Sequence, residues 1–414
     1  MSTKVAFDTL GCKLSFAESS AYAKHFADAG YEIVPAGEGA DIYVVNTCSV
    51  TEHAEKKGRN YIRRLHRQSP DARIVVVGCQ AQLRAEQISR LEGVWAVVGS
   101  EYKGRLLDIA TAASLPGKVF LEPIESSSNY FPAHSLSERT RSFLKVQDGC
   151  DYHCAYCTVP LARGDSRNPS IASVVAQAEE IAAAGFKEVV ITGVNTGDFG
   201  KTTGESFFDL LKALDAVQGI ERYRISSIEP NLLRDEIVEW IAAGSKVMPH
   251  FHIPLQSGCD RILAAMKRRY NTDFFRRKIE FIRSRIPDVF LGIDVIVGFP
   301  GETDADFETT RRFLEELRPA FIHIFPYSRR AGTPAATMPD QVQDSVKTAR
   351  VKVLEELCAR LNAEFYAANR GRRGSVLFES TEKGGKMFGY SGNYIKVERD
   401  YDPALVGRIV EVEL

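Results

Sequence analysis

The strongest chemical signal in the sequence is a group of three cysteines, Cys150, Cys154 and Cys157, spaced as CxxxCxxC. Three thiolates so close together can bind three of the four irons of a [4Fe–4S] cube, which leaves one iron without a protein ligand. That open iron can bind a small molecule. The spacing therefore predicts an iron–sulfur site with a free coordination position.

Zinc is the alternative metal for these cysteines. Structural zinc takes four closed ligands, and His153 lies inside the CxxxCxxC loop at a spacing uncommon for zinc. The ligand count therefore favours iron–sulfur. The pattern, with the aromatic Tyr156 just before the last cysteine, resembles the signature of radical S-adenosylmethionine enzymes. In that family the open iron chelates the amino and carboxyl groups of S-adenosylmethionine.

A second set of cysteines, Cys12, Cys48 and Cys79, lies in the N-terminal part of the chain. Each ends a short β-branched run, at residues 4–10, 41–47 and 73–78, and precedes a helical pattern such as that near residues 15–29. One interpretation is three buried cysteines that act as small hydrophobes. Their shared position at a strand end favours three soft thiolate ligands of a second cluster.

Alternating strand and helix patterns are needed to bring that second set together. Strands that alternate with helices imply a parallel sheet with right-handed crossovers, so that all strand ends of one kind meet at the same edge. A fourth strand at residues 94–99 lacks a cysteine. Residues 1–113 are therefore predicted to form a doubly wound parallel α/β domain with an auxiliary cluster.

A linker and a second strand–helix series follow. Residues 114–141 are rich in Pro, Ser and Asn without sustained periodicity, which is typical of a linker. Residues 142–370 predict an open (β/α)6 barrel followed by a helix over residues 341–369, and CxxxCxxC then lies after the first barrel strand. The predicted strands are residues 142–148, 187–195, 222–230, 250–258, 290–301 and 321–328.

The last segment, residues 371–414, changes to period-two alternation with glycine-rich turns. This predicts a small C-terminal β-barrel of the kind that binds oligonucleotides. Its charge does not mark it as RNA-binding, because seven Lys or Arg face seven acidic residues.

Composition limits the class of protein. The chain has 414 residues and a formal charge of −1, so no overall field attracts nucleic acid and any anionic partner must meet local basic patches. Neither a secretory signal nor an apolar run long enough for a membrane span is present in the sequence. We therefore expect a cytoplasmic enzyme without membrane contact, whose thiols stay reduced and available for metal.

Several motifs together resemble the radical S-adenosylmethionine methylthiotransferase family over nearly the whole chain. They are residues 9–14 (TLGCKL), 46–48 (NTC), 77–82 (VGCQAQ), 150–157 and 161–164 (LARG). The tail resembles a TRAM domain. Residues 11–14 (GCKL), 192–200 (TGVNTGDFG) and 252–258 (HIPLQSG) look most like the branch that modifies N6-threonylcarbamoyladenosine in tRNA.

The resemblance implies a reaction at the adenosine immediately 3′ of the anticodon. Two [4Fe–4S] clusters and two S-adenosylmethionine molecules per product would take part. One S-adenosylmethionine donates methyl to a sulfur held on the auxiliary cluster, and the other yields the radical that takes hydrogen from C2 of the base. The tRNA anticodon loop, a reducing electron donor and a sulfur source are the implied partners.

The resemblance also indicates which residues contact S-adenosylmethionine. Tyr156 would contact the adenine, and the fifth-strand motif at residues 292–302 would place Val297 near it. The polar ends of later strands complete the expected set, namely Gly193, Asn195, Glu229 and Gln256. Gly and Asn at such positions also serve as turn formers, which is the alternative interpretation.

Two basic stretches could meet RNA phosphates. One is the helix after Cys48, with Lys56, Lys57, Arg59, Arg63, Arg64 and Arg67; the other is residues 260–285, with nine Lys or Arg against three acidic residues. A solvated helix face is the other interpretation of such runs. Residues 49–52 (SVTE) predict a capping box at the start of the first helix.

Three alternatives to the leading interpretation remain open. The chain could act on isopentenyladenosine in tRNA or on a ribosomal protein side chain, both within the same family. From a different class, it could be a non-catalytic iron–sulfur protein that binds RNA. Cleavage of S-adenosylmethionine by the reduced protein would separate the enzymes from the last alternative.

Overall fold

The computed structural model describes residues 2–136 and 139–414; Ser137 and Glu138, within the predicted linker, lie outside the described residues. The N-terminal strands are β1 (Lys4–Thr9), β2 (Glu32–Ile33), β3 (Ile42–Thr47), β4 (Arg73–Gly78), β5 (Val94–Val98) and β6 (Val119–Phe120). The helices are α1 (Lys13–Asp28), α2 (Glu52–Gln68), α3 (Cys79–Leu83), α4 (Ala85–Ser89) and α5 (Leu106–Thr111).

These strands form one parallel sheet in the order β2-β1-β3-β4-β5-β6. Successive residues of each strand face opposite sides, so Val5 packs beneath α1 whereas Ala6 packs on the α2 side. Helices on both faces bury the β-branched strands, as parallel sheets require. The predicted doubly wound domain is thus confirmed, and its strand order reverses at β1 and β3.

The predicted linker needs one correction. Residues 114–141 are not purely a connection, because β6 within them pairs in parallel with Val97 and Val98 of β5. The N-terminal sheet therefore extends beyond residue 113. Only two residues form this strand, too few for an alternating pattern to be visible in the sequence.

The central unit contains six further strands in the described part of the chain. They are β7 (Ser142–Lys145), β8 (Glu188–Thr192), β9 (Arg222–Ile225), β10 (His250–Gln256), β11 (Phe290–Val297) and β12 (Phe321–Pro326). The helices are α6 (Val159–Arg163), α7 (Ile171–Ala183), α8 (Phe207–Asp215), α9 (Asp235–Ala242), α10 (Asp260–Ala265), α11 (Thr272–Arg285), α12 (Asp304–Leu317) and α13 (Asp344–Asn369).

The six strands form two parallel three-stranded sheets, β7-β8-β9 and β10-β11-β12. Irregular chain joins them, with Tyr223 bridging to Val247 and the backbone N–H of Ile228 donating to the carbonyl of His252 at 3.1 Å. The predicted open (β/α)6 arrangement is confirmed. Its outer surface carries the largest apolar core, between the strands and the surrounding helices.

The C-terminal segment contains β13 (Arg373–Lys383), β14 (Lys386–Ser391), β15 (Lys396–Asp400) and β16 (Ile409–Glu413). They form an antiparallel sheet in the order β15-β14-β13-β16, and an irregularity between Phe378 and Glu382 shifts the register of β13 against β14. The predicted β-domain is confirmed as a curled antiparallel sheet. None of the helices over the described ranges has the length and apolar character needed to cross a membrane.

Two buried arginines join this domain to the barrel. Arg222 donates to the carbonyl of Ser375 at 2.5 Å, and Arg224 donates to the carbonyls of Ser391 and Gly392 at 2.7 and 2.8 Å. Glu188 balances their charge, because it accepts from Arg224 at 2.7 Å. The C-terminal sheet is therefore fixed against β8 and β9.

Candidate iron–sulfur centres and the cavities beside them

The auxiliary cysteines meet where the strand order of the N-terminal sheet reverses, the usual ligand-binding position in such sheets. Cys12 follows β1 and caps α1, and a Cβ placed on the neighbouring Gly11 would lie 3.8 Å from the Cβ atom of Cys48. Burial raises the pKa of the Cys48 thiol to about 11, and the nearby Cys79 and Cys12 thiols contribute to that rise. The structure thus brings the predicted set together.

Gly78 shows how tightly this edge is packed. Its φ of +94° is in the region that favours glycine, and a Cβ there would lie 2.4 Å from the carbonyl oxygen of Thr47. Any larger residue would push β3 away from the start of α3. Gly78 therefore fixes the position of Cys79.

A buried network of charges surrounds this centre. Glu18 of α1 accepts from Lys103 and Lys145, each at 2.8 Å, and Asp148 accepts from Lys145 at 2.7 Å and from Arg163 at 2.8 Å. The guanidinium of a second arginine, Arg167, also lies 3.6 Å from Asp148. The network holds two acidic and four basic side chains, so it has a surplus of positive charge.

Arg163 is the member of this network that contacts a cysteine of the auxiliary set. Its Nε donates to the Sγ atom of Cys79 at 3.3 Å. Burial alone would lower the pKa of Arg163, but Cys79, Glu18 and Asp148 together raise it above its usual range. A permanently charged guanidinium therefore lies against the Sγ atom of Cys79.

The CxxxCxxC thiols each receive a hydrogen bond. Backbone N–H groups of Tyr152 and Val159 donate to Cys150 and Cys157, both at 3.4 Å. The third donor is the Arg268 guanidinium, 3.0 Å from the Sγ atom of Cys154. Burial raises the pKa of both Cys150 and Cys157 to about 12, so metal rather than solvent must stabilise their thiolates.

Both centres fit an iron–sulfur cluster. Each offers three free thiols, a donor set that binds iron in such clusters. Each also places an arginine against one thiol, Arg163 in the first and Arg268 in the second. Hydrogen bonds and positive charge at the sulfurs are what tune such clusters.

The position of Arg268 could not be predicted from the sequence. It is one of nine basic residues in 260–285, and nothing in their spacing distinguishes it. In the structure its side chain is buried, pairs with Glu229 and lies 3.4 Å from the Tyr156 hydroxyl. The Nε atom of Arg268 also donates a hydrogen bond to the Tyr270 hydroxyl at 3.0 Å, which orients the guanidinium.

The residues expected to bind S-adenosylmethionine do not all lie at one cavity. Tyr156 and Gln256 line a cavity of about 250 Å³ beside Cys157, and Gln256 has a φ of +70° that points to a constrained strand end. Asn195 is buried, with no hydrogen-bond partner for Oδ1 among the described residues. Glu229 pairs with Arg268, and Gly193 lines a second cavity.

Val297 lies apart from the other residues expected to contact S-adenosylmethionine. Its side chain is fully buried in the core between barrel and helices, whereas its neighbour Ile296 lines the cavity. Side chains alternate along β11, so Asp294 and Ile296 face inward and Val297 faces outward. Its side chain therefore does not line the smaller cavity, and contact with S-adenosylmethionine stays a prediction.

The second cavity is larger, at about 640 Å³, and all three domains line it. Cys12 and Lys13 come from the N-terminal domain, Gly193 and His252 from the barrel, and Tyr394 from the C-terminal sheet. His252 also shares a 2.5 Å hydrogen bond with Asp294, which lines the smaller cavity. The two cavities are therefore neighbours.

A candidate cation site lies between them. Ligand atoms of His252, Asp294 and His323 all lie within 4.8 Å of one another. The His252 and His323 rings stack with centroids 4.7 Å apart. Burial lowers the pKa of His323, so its ring is neutral near pH 7.

The two basic stretches differ in how many of their side chains are paired. Among residues 260–285, eight of the nine basic side chains have a partner in the described structure, Lys267 being the exception. On α2, Lys56 and Lys57 are exposed and have no ion pair or hydrogen bond from their side chains to any described residue. Among the described residues, α2 thus has two unpaired lysines, against one in residues 260–285.

The predicted capping box at residues 49–52 is wrong. Thr51 caps α2, and its hydroxyl accepts from the N–H of Ala54 at 3.1 Å. Ser49 instead donates to the buried carboxylate of Glu55 at 2.7 Å. That carboxylate also pairs with Arg330 of the barrel domain, which draws Ser49 into an interdomain contact.

Comparison with known proteins gives two matching families. Residues 4–99 match the Uncharacterized protein family UPF0004, and residues 144–314 match the Radical SAM superfamily. Each of the two cysteine sets falls in a different one of these regions.

Full-length relatives are also similar. The chain is 38% identical to the threonylcarbamoyladenosine tRNA methylthiotransferase MtaB of Bacillus subtilis (strain 168), covering 99% of this chain and 93% of that protein. MtaB of Aquifex aeolicus (strain VF5) is 35% identical, with 99% of each covered. A tRNA-2-methylthio-N(6)-dimethylallyladenosine synthase of Cereibacter sphaeroides (strain ATCC 17029 / ATH 2.4.9) is 34% identical, with 99% and 95% covered.

Among solved structures, the radical S-adenosylmethionine methyltransferase TsrM of Kitasatospora setae superposes with a TM-score of 0.60 at 16% identity. That match covers 81% of this chain and 75% of TsrM. The cobalamin-dependent S-adenosylmethionine radical enzyme OxsB gives a TM-score of 0.51 at 12% identity, covering 88% and 56%. At these identities the likeness concerns the fold alone.

Proposed function

Because the chain belongs to the radical S-adenosylmethionine methylthiotransferase family and is a tRNA methylthiotransferase, we propose that its substrate is N6-threonylcarbamoyladenosine beside the anticodon. The product would be the 2-methylthio derivative. The MtaB relatives at 35–38% identity carry that substrate in their names.

One observation carries the proposal, which is that the two cysteine sets open onto neighbouring cavities. Cys157 lines the smaller cavity and Cys12 the larger one. The 2.5 Å hydrogen bond between Asp294 and His252 joins the walls of the two spaces. A base in the larger cavity would therefore lie beside the auxiliary centre and next to the cavity where S-adenosylmethionine would bind.

Two [4Fe–4S] clusters are the cofactors proposed for the two centres. Cys150, Cys154 and Cys157 would hold one, and the second would be held by Cys12, Cys48 and Cys79. When bound, the clusters and S-adenosylmethionine supply the electron, the radical and the sulfur chemistry that no side chain can provide.

The chain itself supplies binding, orientation and charge. Arg163 and Arg268 place permanent positive charge against Cys79 and Cys154, at 3.3 and 3.0 Å. Tyr156 and Gln256 line the smaller cavity, where they would orient S-adenosylmethionine. Burial of the Cys150 and Cys154 side chains limits the access of water to this centre.

The C-terminal sheet is proposed to hold the RNA, as a TRAM-like domain over residues 371–414. Tyr390, Tyr394 and Lys396 of this domain line the larger cavity, which supports a contact with an anticodon loop that enters it. Aromatic rings and cations are the groups on which unpaired bases stack and phosphates pair. A reducing protein and a sulfur source are further proposed partners.

A dimethylallyl-modified base is the second candidate substrate. The Cereibacter sphaeroides relative named for that base is 34% identical over 99% of this chain. The two candidates differ in charge, because the threonylcarbamoyl group carries a carboxylate whereas the dimethylallyl group is neutral and apolar.

The test uses reconstituted enzyme, reductant, S-adenosylmethionine and three forms of one tRNA. The target adenosine carries the threonylcarbamoyl group, the isopentenyl group or no modification. Mass spectrometry of the nucleosides is expected to show a methylthio product from the first form only. Product from the isopentenyl form alone would overturn the proposal in favour of the second candidate.

A further inference from the structure

The charge of the larger cavity is one-sided. Its 640 Å³ space is lined by the two cations Lys13 and Lys396 and, among the described residues, by no Asp or Glu. Carboxylates are abundant in the chain as a whole, 54 against 53 Lys and Arg. A cavity with cations and no acidic group selects an anionic ligand.

Lys13 is the cation that stands out within it. The side chain follows Cys12 directly, is exposed to the cavity, and makes no ion pair or hydrogen bond with any described residue. Nearby Lys103 and Lys145 are instead paired with Glu18, each at 2.8 Å. The carboxylate of Glu18 thus pairs with Lys103 and Lys145, whereas Lys13 has no ion pair with any described residue.

Aromatic rings form one wall of the same cavity. Tyr394 stacks on Tyr390 with ring centroids 4.7 Å apart, and it lies against His250 with centroids 4.4 Å apart. Such rings are surfaces on which an unstacked nucleobase rests. The cavity therefore combines a platform for a base with a cation for an acidic substituent.

The chemistry of adenine connects these features. C2 and the N6 substituent lie on the same edge of the base, with N1 between them. A base that turns this edge toward the centre at Cys12 also places its N6 substituent on the same side of the cavity. Lys13 is the neighbour in sequence and shares the cavity wall with Cys12.

We propose that Lys13 is a specificity-determining residue that pairs with the carboxylate on the N6 substituent of the target adenosine. This inference rests on the proposed function. A base that fills the cavity displaces water from the ammonium group. An acidic substituent replaces that water, whereas a neutral one leaves a buried charge without a partner, which penalises the wrong substrate.

The test compares binding of anticodon stem-loop RNAs to the reconstituted enzyme at fixed low salt. One RNA carries the threonylcarbamoyl carboxylate, a second its methyl ester and a third unmodified adenosine. Wild type is expected to bind the acid about ten- to a hundredfold more tightly than the ester, since one charge-assisted hydrogen bond is lost. Lys13→Gln is expected to bind acid and ester equally.

Controls separate the specific effect from charge and folding. Lys13→Arg keeps the cation and should keep the preference. Lys212→Gln removes a cation from α8 and should leave the acid–ester ratio unchanged. Iron content and visible absorption report whether Lys13→Gln keeps its auxiliary cluster beside Cys12.

Several outcomes would overturn the inference. They are equal binding of acid and ester by wild type, an unchanged preference in an iron-loaded Lys13→Gln variant, and loss of the preference in Lys396→Gln alone. Failure of the proposed function looks different. In that case wild type forms no methylthio product from the acid-bearing RNA, whatever its binding preference.

Discussion

Arg163 of the barrel domain donates a hydrogen bond to the Sγ atom of Cys79 in the N-terminal domain, at 3.3 Å. Arg163 lies in α6, only six residues beyond Cys157 of the CxxxCxxC motif. The same guanidinium pairs with Glu18 and Asp148, one from each domain. One side chain therefore ties the position of the auxiliary centre to the loop that carries the other centre.

Arg163→Gln is expected to lower the iron content of the auxiliary centre while S-adenosylmethionine cleavage persists. The reason is that the thiolate of Cys79 loses its charged donor and Asp148 loses a partner. Iron analysis and assay of 5′-deoxyadenosine check this. Arg90→Gln, on an exposed pair with Glu86, is the control and should change neither quantity. Full auxiliary iron in Arg163→Gln would contradict the role given to this hydrogen bond.

Alanine substitutions should separate the two cysteine sets. Replacement of Cys150, Cys154 or Cys157 is expected to abolish 5′-deoxyadenosine formation, because the cluster that passes the electron is lost. Replacement of a cysteine in the other set should leave cleavage intact but stop methylthio transfer. Iron should fall from about eight to about four per chain in each case.

Cys358→Ala, outside both sets, is the matched control and should keep all iron, since its thiol hydrogen-bonds with the backbone of Ile322. Methylthiolated product from Cys48→Ala would disprove the role of the auxiliary set.

The unpaired lysines of α2 should matter more for RNA binding than the paired arginines of α11. The double variant Lys56→Gln/Lys57→Gln is expected to weaken tRNA binding. The magnitude of the slope of the logarithm of the binding constant against the logarithm of salt concentration should fall by about one unit for each lost phosphate contact. Arg276→Gln/Arg277→Gln removes the same charge, but these side chains already pair with Glu316 and Asp273. Filter binding at several salt concentrations measures the tRNA affinity and its salt dependence for both double variants. Equal effects of the two double variants would argue against RNA binding by α2.

Glu188 should make the docking of the C-terminal sheet sensitive to acid. Burial alone would raise its pKa, but Arg224, Arg141 and Arg222 hold the pKa below its ordinary value of 4.5. Because the folded value is the lower one, the stabilising contribution is complete above pH 4.5 and is lost as pH falls below it. Acid should therefore loosen the contact of Glu188 with Arg222 and Arg224.

Glu188→Gln tests this by removing the charge at every pH. At neutral pH the variant should be destabilised by about 3–5 kcal/mol, because buried arginines lose their counter-charge. The difference from wild type should shrink on acidification below pH 4.5. Denaturant titrations measure it, with Glu221→Gln on an exposed pair with Lys187 as control. A difference that does not depend on pH would refute the assignment.

Local patterns in the sequence were sufficient to predict where the two cysteine sets lie and the fold of the domains that carry them. CxxxCxxC places three thiols within one loop, so its meaning does not depend on distant contacts. The convergence of Cys12, Cys48 and Cys79 followed from parallel topology, because β-branched runs alternating with helices leave few arrangements. Period-two alternation likewise predicted the C-terminal sheet.

Long-range packing decided what local patterns could not. Arg163 and Arg268 reach Cys79 and Cys154 across 84 and 114 residues of sequence, and no periodicity records such contacts. The inward or outward direction of Val297 depends on how β11 is placed against its helices. Ser49 does not cap α2 as predicted, because its hydroxyl donates to the Glu55 carboxylate that also pairs with Arg330.

Tertiary contacts also determine whether each cationic side chain has an ion-pair partner. Lys13 and Lys103 are the same residue type in one domain, yet Glu18 neutralises only the second. Sequence determined that charged, aromatic and thiol groups were present, since composition and spacing are local properties. Their assembly into one cavity required three domains to meet, because burial and distance arise only when separate segments pack together.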